Sequence, residues 1–312
     1  MPRSRVILTL LAVQALFGTL PLTGQLAMHG VLGGPVEGVR GLPPLSVAAL
    51  RALGAALILG CVAGRRLWRV PARELGWLAL FAVLGVIGNQ ALFLEGLSRT
   101  TQINAAVLIA TIPVFTTGFA LALRKERASV LRLLGIAVGL GGALLLAGIE
   151  RFDLSDRRLV GNLLILANAA LWSLHLVLAR PVLQRLDPLV VLAWMFLFGA
   201  LALVPAGAGP LFEAWPAIPA VSWQAMIWIV ALPTVLAYLL NIHALRATES
   251  SQVAIFTYLQ PLVAGALAWG WAGERPTLRT GAAALLIFAG VALVQVGGTS
   301  RRPAESPRRG PR

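Results

Sequence analysis

Charged side chains are scarce in this sequence. Only 12% of its 312 residues are Asp, Glu, Lys or Arg, against about a quarter in a soluble domain. Hydrophobic residues make up 58%, and the mean hydropathy is +0.83. So few charges do not clothe a water-exposed surface, and the chain belongs in a lipid bilayer. Cysteine is nearly missing as well: Cys61 stands alone, which excludes an intramolecular disulfide and a cysteine metal cage. No HExxH metal motif and no GxxxxGK[ST] nucleotide loop occurs. Neither a metal cofactor nor ATP-driven pumping is therefore written into the chain, and no other cofactor is implied.

What is present is apolar sequence in long runs. Crossing ~30 Å of hydrocarbon takes about 20 residues at ~1.5 Å rise each. Ten runs of that order lie near 6–29, 44–63, 75–97, 102–123, 130–149, 159–179, 188–207, 222–245, 251–272 and 278–297. The basic start MPRSR before the first run has the look of a secretory signal, but the run is longer than a signal core and nine more follow, so it reads as a span.

The formal net charge of +14 follows membrane topology and not a nucleic-acid footprint. Arg65, Arg66, Arg69 and Arg73 follow span two, Arg124, Lys125, Arg127 and Arg132 follow span four, and Arg180 and Arg185 follow span six. The alternate connections carry fewer. This bias predicts a multi-pass protein of the plasma or inner membrane with both termini in the cytoplasm, ending in a basic disordered tail over 299–312.

The chain also repeats itself. VAIFTYLQPLVAGALAWGWAGER (253–275) has a counterpart 148 positions earlier in AAVLIATIPVFTTGFALALRKER, with Pro113 answering Pro261 and Glu126 and Arg127 answering Glu274 and Arg275. Weaker matches relate the upstream spans, so spans one to five correspond to spans six to ten. Because five is odd, the second copy enters the bilayer from the opposite side. Such inverted repeats give a bundle two nearly equivalent arrangements, with a site between the halves. The expected fold is all-α integral membrane: ten transmembrane helices as two inverted five-helix repeats, residues 1–150 and 151–298.

LWS in span six, YLLNIHALRATESSQVAIFTYLQPLVAGALAWGWAGE across spans eight and nine, and the Gly-rich final span resemble the EamA-type drug/metabolite transporter superfamily. The first copy shows the pattern as FLEGLSRTTQINAAVLIATIPVFTTGFALALRKE, with RKE where the family tends to have Gly-Glu, and a long loop, GVLGGPVEGVRGLPP (30–44), follows span one. The resemblance implies a central cavity lined by spans one to four and six to nine, and movement of small organic solutes, often outward.

Polar side chains inside a bilayer are costly and mark cavities or helix contacts. Asn168, Trp172 and His175 recur on one face of span six; Thr234, Tyr238 and Asn241 do so in span eight; Asn104, Leu108 and Thr111 do so in span four, with Phe115 a turn further. Pro113 and Pro261 should kink spans four and nine and free carbonyls near Tyr258 and Gln260. Arg51, roughly 10 Å below the outer surface, and Glu95, some 5 Å below it, are expected to pair as a gate of the outer mouth or a structural bridge, with Arg51 meeting a solute carboxylate as the further alternative. Glu126 and Glu274 read as interfacial anchors that cap the next helix. His29, His175 and His243 make proton coupling compatible with the sequence, as is a homodimer.

The expected function is secondary active export of small polar or amphipathic metabolites such as amino acids. The partners are then a small-molecule solute and the bilayer, with no nucleic acid. A drug, lipid-linked or sugar-nucleotide carrier of the same fold is the alternative. An intramembrane enzyme built on Glu95 and a histidine is the rival of a different class.

Overall fold

A computed structural model describes residues 3–32, 39–126, 128–148, 153–248, 253 and 256–299. Arg127, residues 300–312 of the tail and residues 33–38 of the long loop lie outside that set. Among the described residues there is no strand. Nine helices there are long and apolar enough to cross a membrane: Ser4–His29, Pro44–Arg69, Ala72–Leu97, Gln102–Ala122, Val130–Ala147, Arg157–Leu183, Pro188–Ala217, Ala220–Ala247 and Leu278–Gly297. The ninth run of the sequence contributes a 3-10 turn, Phe256–Tyr258, and the helix Leu259–Ala272. Each helix takes the number of its run, so Leu259–Ala272 is span nine and Leu278–Gly297 span ten.

Lipid tails are as apolar as leucine, so these helices associate through close packing and polar contacts and not by the hydrophobic effect. Small residues make the closest seams. Span two lays the buried Ala49 and Ala52 against Gly207 and Gly199 of span seven. A Cβ on Gly207 of span seven would stand 2.7 Å from both the Ala49 Cβ and the Leu45 carbonyl oxygen, and Ser46 Oγ donates to the Gly207 carbonyl at 2.8 Å. Span five meets span ten along glycines: a Cβ on Gly290 would lie 2.6 Å from the Gly135 carbonyl oxygen and 2.7 Å from Gly139 Cα. Spans three and six touch where Gly96 faces the Gly161 carbonyl, at 2.9 Å from its would-be Cβ. Away from these seams Leu57, Val62, Leu201, Trp269, Trp271 and Leu285 are exposed, a surface suited to lipid.

Several helices are interrupted. In span four Gln102–Ile109 and Ile112–Ala122 are separate helical pieces with a turn between them, because Pro113 has no N–H for the Ile109 carbonyl. Pro261 sits in the first turn of Leu259–Ala272, just after the 3-10 turn. Span three carries a π-helical turn at Val83–Ile87 and span eight one at Val230–Leu236. These two turns fall at matching places in the 148-residue offset. Pro181 withholds the donor that the Val177 carbonyl would receive in span six, and the Lys125 ammonium fills that gap at 2.8 Å. Partial burial lowers the Lys125 pKa below the ordinary lysine value.

At the opposite end of the bundle a buried amide network ties five elements. Gln102 Nε2 donates to Gln25 Oε1 at 2.9 Å, Gln25 Nε2 reaches the Thr100 carbonyl at 3.3 Å, Thr100 Oγ1 donates to Asn162 Oδ1 at 2.6 Å, and Asn162 Nδ2 donates to the Leu146 carbonyl at 3.2 Å. Glu274 completes it from beyond span nine, accepting the Gln102 and Ile103 main-chain N–H groups at 3.1 Å each. The expectation that Glu274 caps the next helix is thus corrected. It caps span four, because the end of span nine abuts the start of span four. Glu126 pairs with Arg132 at 2.9 Å.

Candidate solute-binding site

Between the spans lies a cavity of about 60 Å³ lined by Phe17, Leu20, Arg51, Asn89, Phe93, Ile109, Ile112, Asn168, Trp172, Tyr238 and Gln260. These residues come from every span that the resemblance implied except span seven, whose Phe196 stands behind Tyr238 with ring centroids 5.2 Å apart. Phe17, Trp172 and Tyr238 build one aromatic wall, with Phe17 edge-on to Trp172 at 6.3 Å and to Tyr238 at 5.6 Å. The irregular backbone serves this cavity. The Tyr238 hydroxyl lies 3.2 Å from the carbonyl of Gly85, in the π turn of span three, and 3.4 Å from Asn89 Oδ1. Ile109, whose carbonyl is the one Pro113 leaves without its donor, is part of the lining.

Arg51 is the only charged residue of this lining. It is 2% exposed, and its Nε donates to Thr234 Oγ1 at 3.0 Å. Thr234 itself donates to the Ile229 carbonyl within the π turn of span eight, at 2.7 Å. The expected pairing of Arg51 with Glu95 is overturned. Glu95 holds Arg99 one turn along its own helix at 3.0 Å, with a quarter of its side chain exposed, and it is absent from the cavity lining. A partner four residues away costs little chain entropy to engage, and at the helix end both groups keep part of their hydration.

The remaining expected residues divide. Asn168, Trp172, Tyr238 and Gln260 line the cavity, and Thr234 reaches it through Arg51. Asn168 Nδ2 donates to the Asn89 carbonyl at 2.7 Å, and Gln260 Nε2 donates to Gln14 Oε1. His175 is buried between Phe81 and Trp172, with centroids at 5.6 and 5.2 Å, outside this lining. Asn241 is buried and also outside it, and Tyr258 packs on Phe288 with centroids at 5.6 Å. Thr111 spends its hydroxyl on the Leu108 carbonyl at 2.6 Å. Asn104 opens instead into a wider vestibule of about 490 Å³ at the Glu274 end, alongside Thr101, Asp156, Asn162, Arg158 and Thr280. A single helical face drawn through Asn104 and Thr111 fails because the chain breaks between them. The three histidines lie apart, His243 bonding the Leu239 carbonyl of its own helix, and no metal-binding cluster occurs among the described residues.

Asn89, Phe93, Phe17 and Gln14 were not singled out from the sequence. Asn89 and Gln14 are polar residues within apolar runs, and that cost was the signal available.

Comparison with known proteins agrees with this architecture. The EamA-like transporter family matches the chain twice, over residues 5–148 and 159–296. An uncharacterized transporter of Archaeoglobus fulgidus is 27% identical over 82% of this chain and 89% of its own length. A probable terminal-alkyne amino-acid exporter of Streptantibioticus cattleyicolor is 27% identical over 81% of this chain and 86% of its own. The uncharacterized inner membrane transporter YedA of Escherichia coli is 26% identical, covering 82% and 84%. A solved crystal structure superposes with a TM-score of 0.64 at 19% identity, covering 96% of this chain and all of the other, a likeness of fold. With the family matched over both residues 5–148 and 159–296, the chain belongs to the EamA-like transporter family.

Proposed function

We propose that the protein is a secondary active transporter that exports small polar or amphipathic metabolites, amino acids among them, by alternating access of two inverted repeats. The observation that carries this reading is the position of the cavity. It lies where the interrupted spans of both halves meet, three and four from the first and eight and nine from the second. Discontinuous helices around a central site are the construction that lets one half rock against the other. The amino-acid exporter among the relatives supports the solute class.

In this reading the conformation is nearly closed, since about 60 Å³ holds water and little else. The Glu274 end then faces outward and the Lys125 end faces the cytoplasm. A phosphatase or fluorescent-protein fusion after residue 299 should report a cytoplasmic end. An external signal would remove the inverted arrangement.

Purified protein in liposomes preloaded with a mixture of unlabelled amino acids should take up the matching labelled amino acid transiently against its gradient and release it chemically unchanged. Chemical conversion of the solute would favour an enzyme instead. Absence of counterflow for every amino acid, drug and nucleotide sugar tried would sink the transporter reading.

A further inference from the structure

We propose that the central cavity binds its solute as a zwitterion, the carboxylate on Arg51 and the ammonium on the amide oxygens of Asn168 and Gln260, with an apolar remainder against Phe17, Trp172 and Tyr238. This deepens the transporter reading and rests on it. The argument starts from an uncompensated charge. A guanidinium at this depth costs about 3 kcal/mol or more to bury. No Asp or Glu lines the cavity, and none pairs with Arg51 among the described residues. Thr234 occupies only Nε, which leaves both terminal nitrogens of the fork for a bidentate anion.

The amides supply the opposite pole. The Asn89 main-chain carbonyl only accepts, so the Asn168 atom facing it at 2.7 Å is the NH2 group. Its oxygen is left as an acceptor in the cavity lining. Gln260 likewise commits Nε2 to Gln14, leaving Oε1. Arg51 thus offers hydrogen-bond donors with a positive charge, and Asn168 and Gln260 offer amide oxygens. A pure cation would meet the buried guanidinium. A simple carboxylate would leave the amide oxygens without donors, a loss that polar sites impose strongly on analogues lacking a group.

The test uses the wild-type protein, so no variant needs to fold. Phenylalanine, leucine, methionine and tryptophan are compared as competitors of counterflow with their methyl esters, their decarboxylated amines and their deamino acids. At least one amino acid should compete, its ester and amine about 100-fold more weakly and its deamino acid about 10-fold more weakly. Esters or amines competing as well as the parent acids would overturn the Arg51 assignment while leaving transport standing. Failure of all four acids, with counterflow of another solute, would overturn it too. Two variants locate the poles. Arg51→Lys should weaken the acids about 10-fold, because an ammonium lacks the fork, and Gln260→Leu should abolish the preference for phenylalanine over phenylpropionate. Retention of both discriminations by both variants would place the solute elsewhere.

Discussion

Replacing Gly290 by alanine should remove most of the folded protein. The added methyl carbon would lie 2.6 Å from the Gly135 carbonyl oxygen and 2.7 Å from Gly139 Cα, and neither neighbour is a side chain that can turn aside. The two helices must separate along their whole seam, which also joins Gly142 of span five to Ala283 and Leu286 of span ten. Overpacking a core costs about 1–3 kcal/mol when side chains can shift, and a backbone clash lies at the top of that range or beyond it. In a bilayer the loss is felt in full, since no hydrophobic driving force restores the contact. Gly141→Ala is the control. Nothing lies within 4 Å of a Cβ at that position, so the same methyl group should be neutral or add a few tenths of a kcal/mol through helix propensity. Size-exclusion profiles and thermal unfolding in detergent would read both. A Gly290→Ala protein as abundant and as heat-resistant as the wild type would refute the seam.

Glu274→Ala should be the most damaging polar substitution at the ends of the bundle. A helix leaves its first N–H groups without intrahelical partners, and here three of those at the start of span four are satisfied by side chains. Glu274 takes those of Gln102 and Ile103 at 3.1 Å each, and the Thr101 hydroxyl takes that of Asn104 at 3.2 Å. A carboxylate on two such donors makes charge-assisted bonds and also faces the positive end of the helix dipole. Its removal should cost about 3 kcal/mol. Glu274→Gln keeps one acceptor without the charge and should lose about half as much. The expected order in thermal unfolding is wild type, then Gln, then Ala. Equal melting of all three would show that water replaces the cap without penalty.

The neighbouring Arg99 and Glu95 show where inference from sequence reached its limit. Depth and charge placed Arg51 and Glu95 within reach of each other, yet Glu95 closes on Arg99 four residues away. Helical spacing put Asn168 and Trp172 on one face of span six, an unbroken helix there, and both line the cavity. It failed for Asn104 and Thr111, where the turn at 110–111 ends one helix before the next begins. In span eight Thr234 sits inside the π turn at Val230–Leu236, which alters its spacing to Tyr238, while Asn241, on the same regular helix as Tyr238, is buried outside the lining.

Composition and repetition determined the family, the apolar spans and the two proline interruptions, because each depends on residues close together in the chain. The cavity was decided by the tertiary structure. Arg51 finds Thr234 at 183 positions' remove, Gln260 finds Gln14, and Glu274 finds the start of span four, and all three contacts depend on which helices lie side by side. That arrangement is set by where glycine and alanine let two backbones approach. A pattern along one helix records which face is small, and only the assembled bundle shows which partner that face meets.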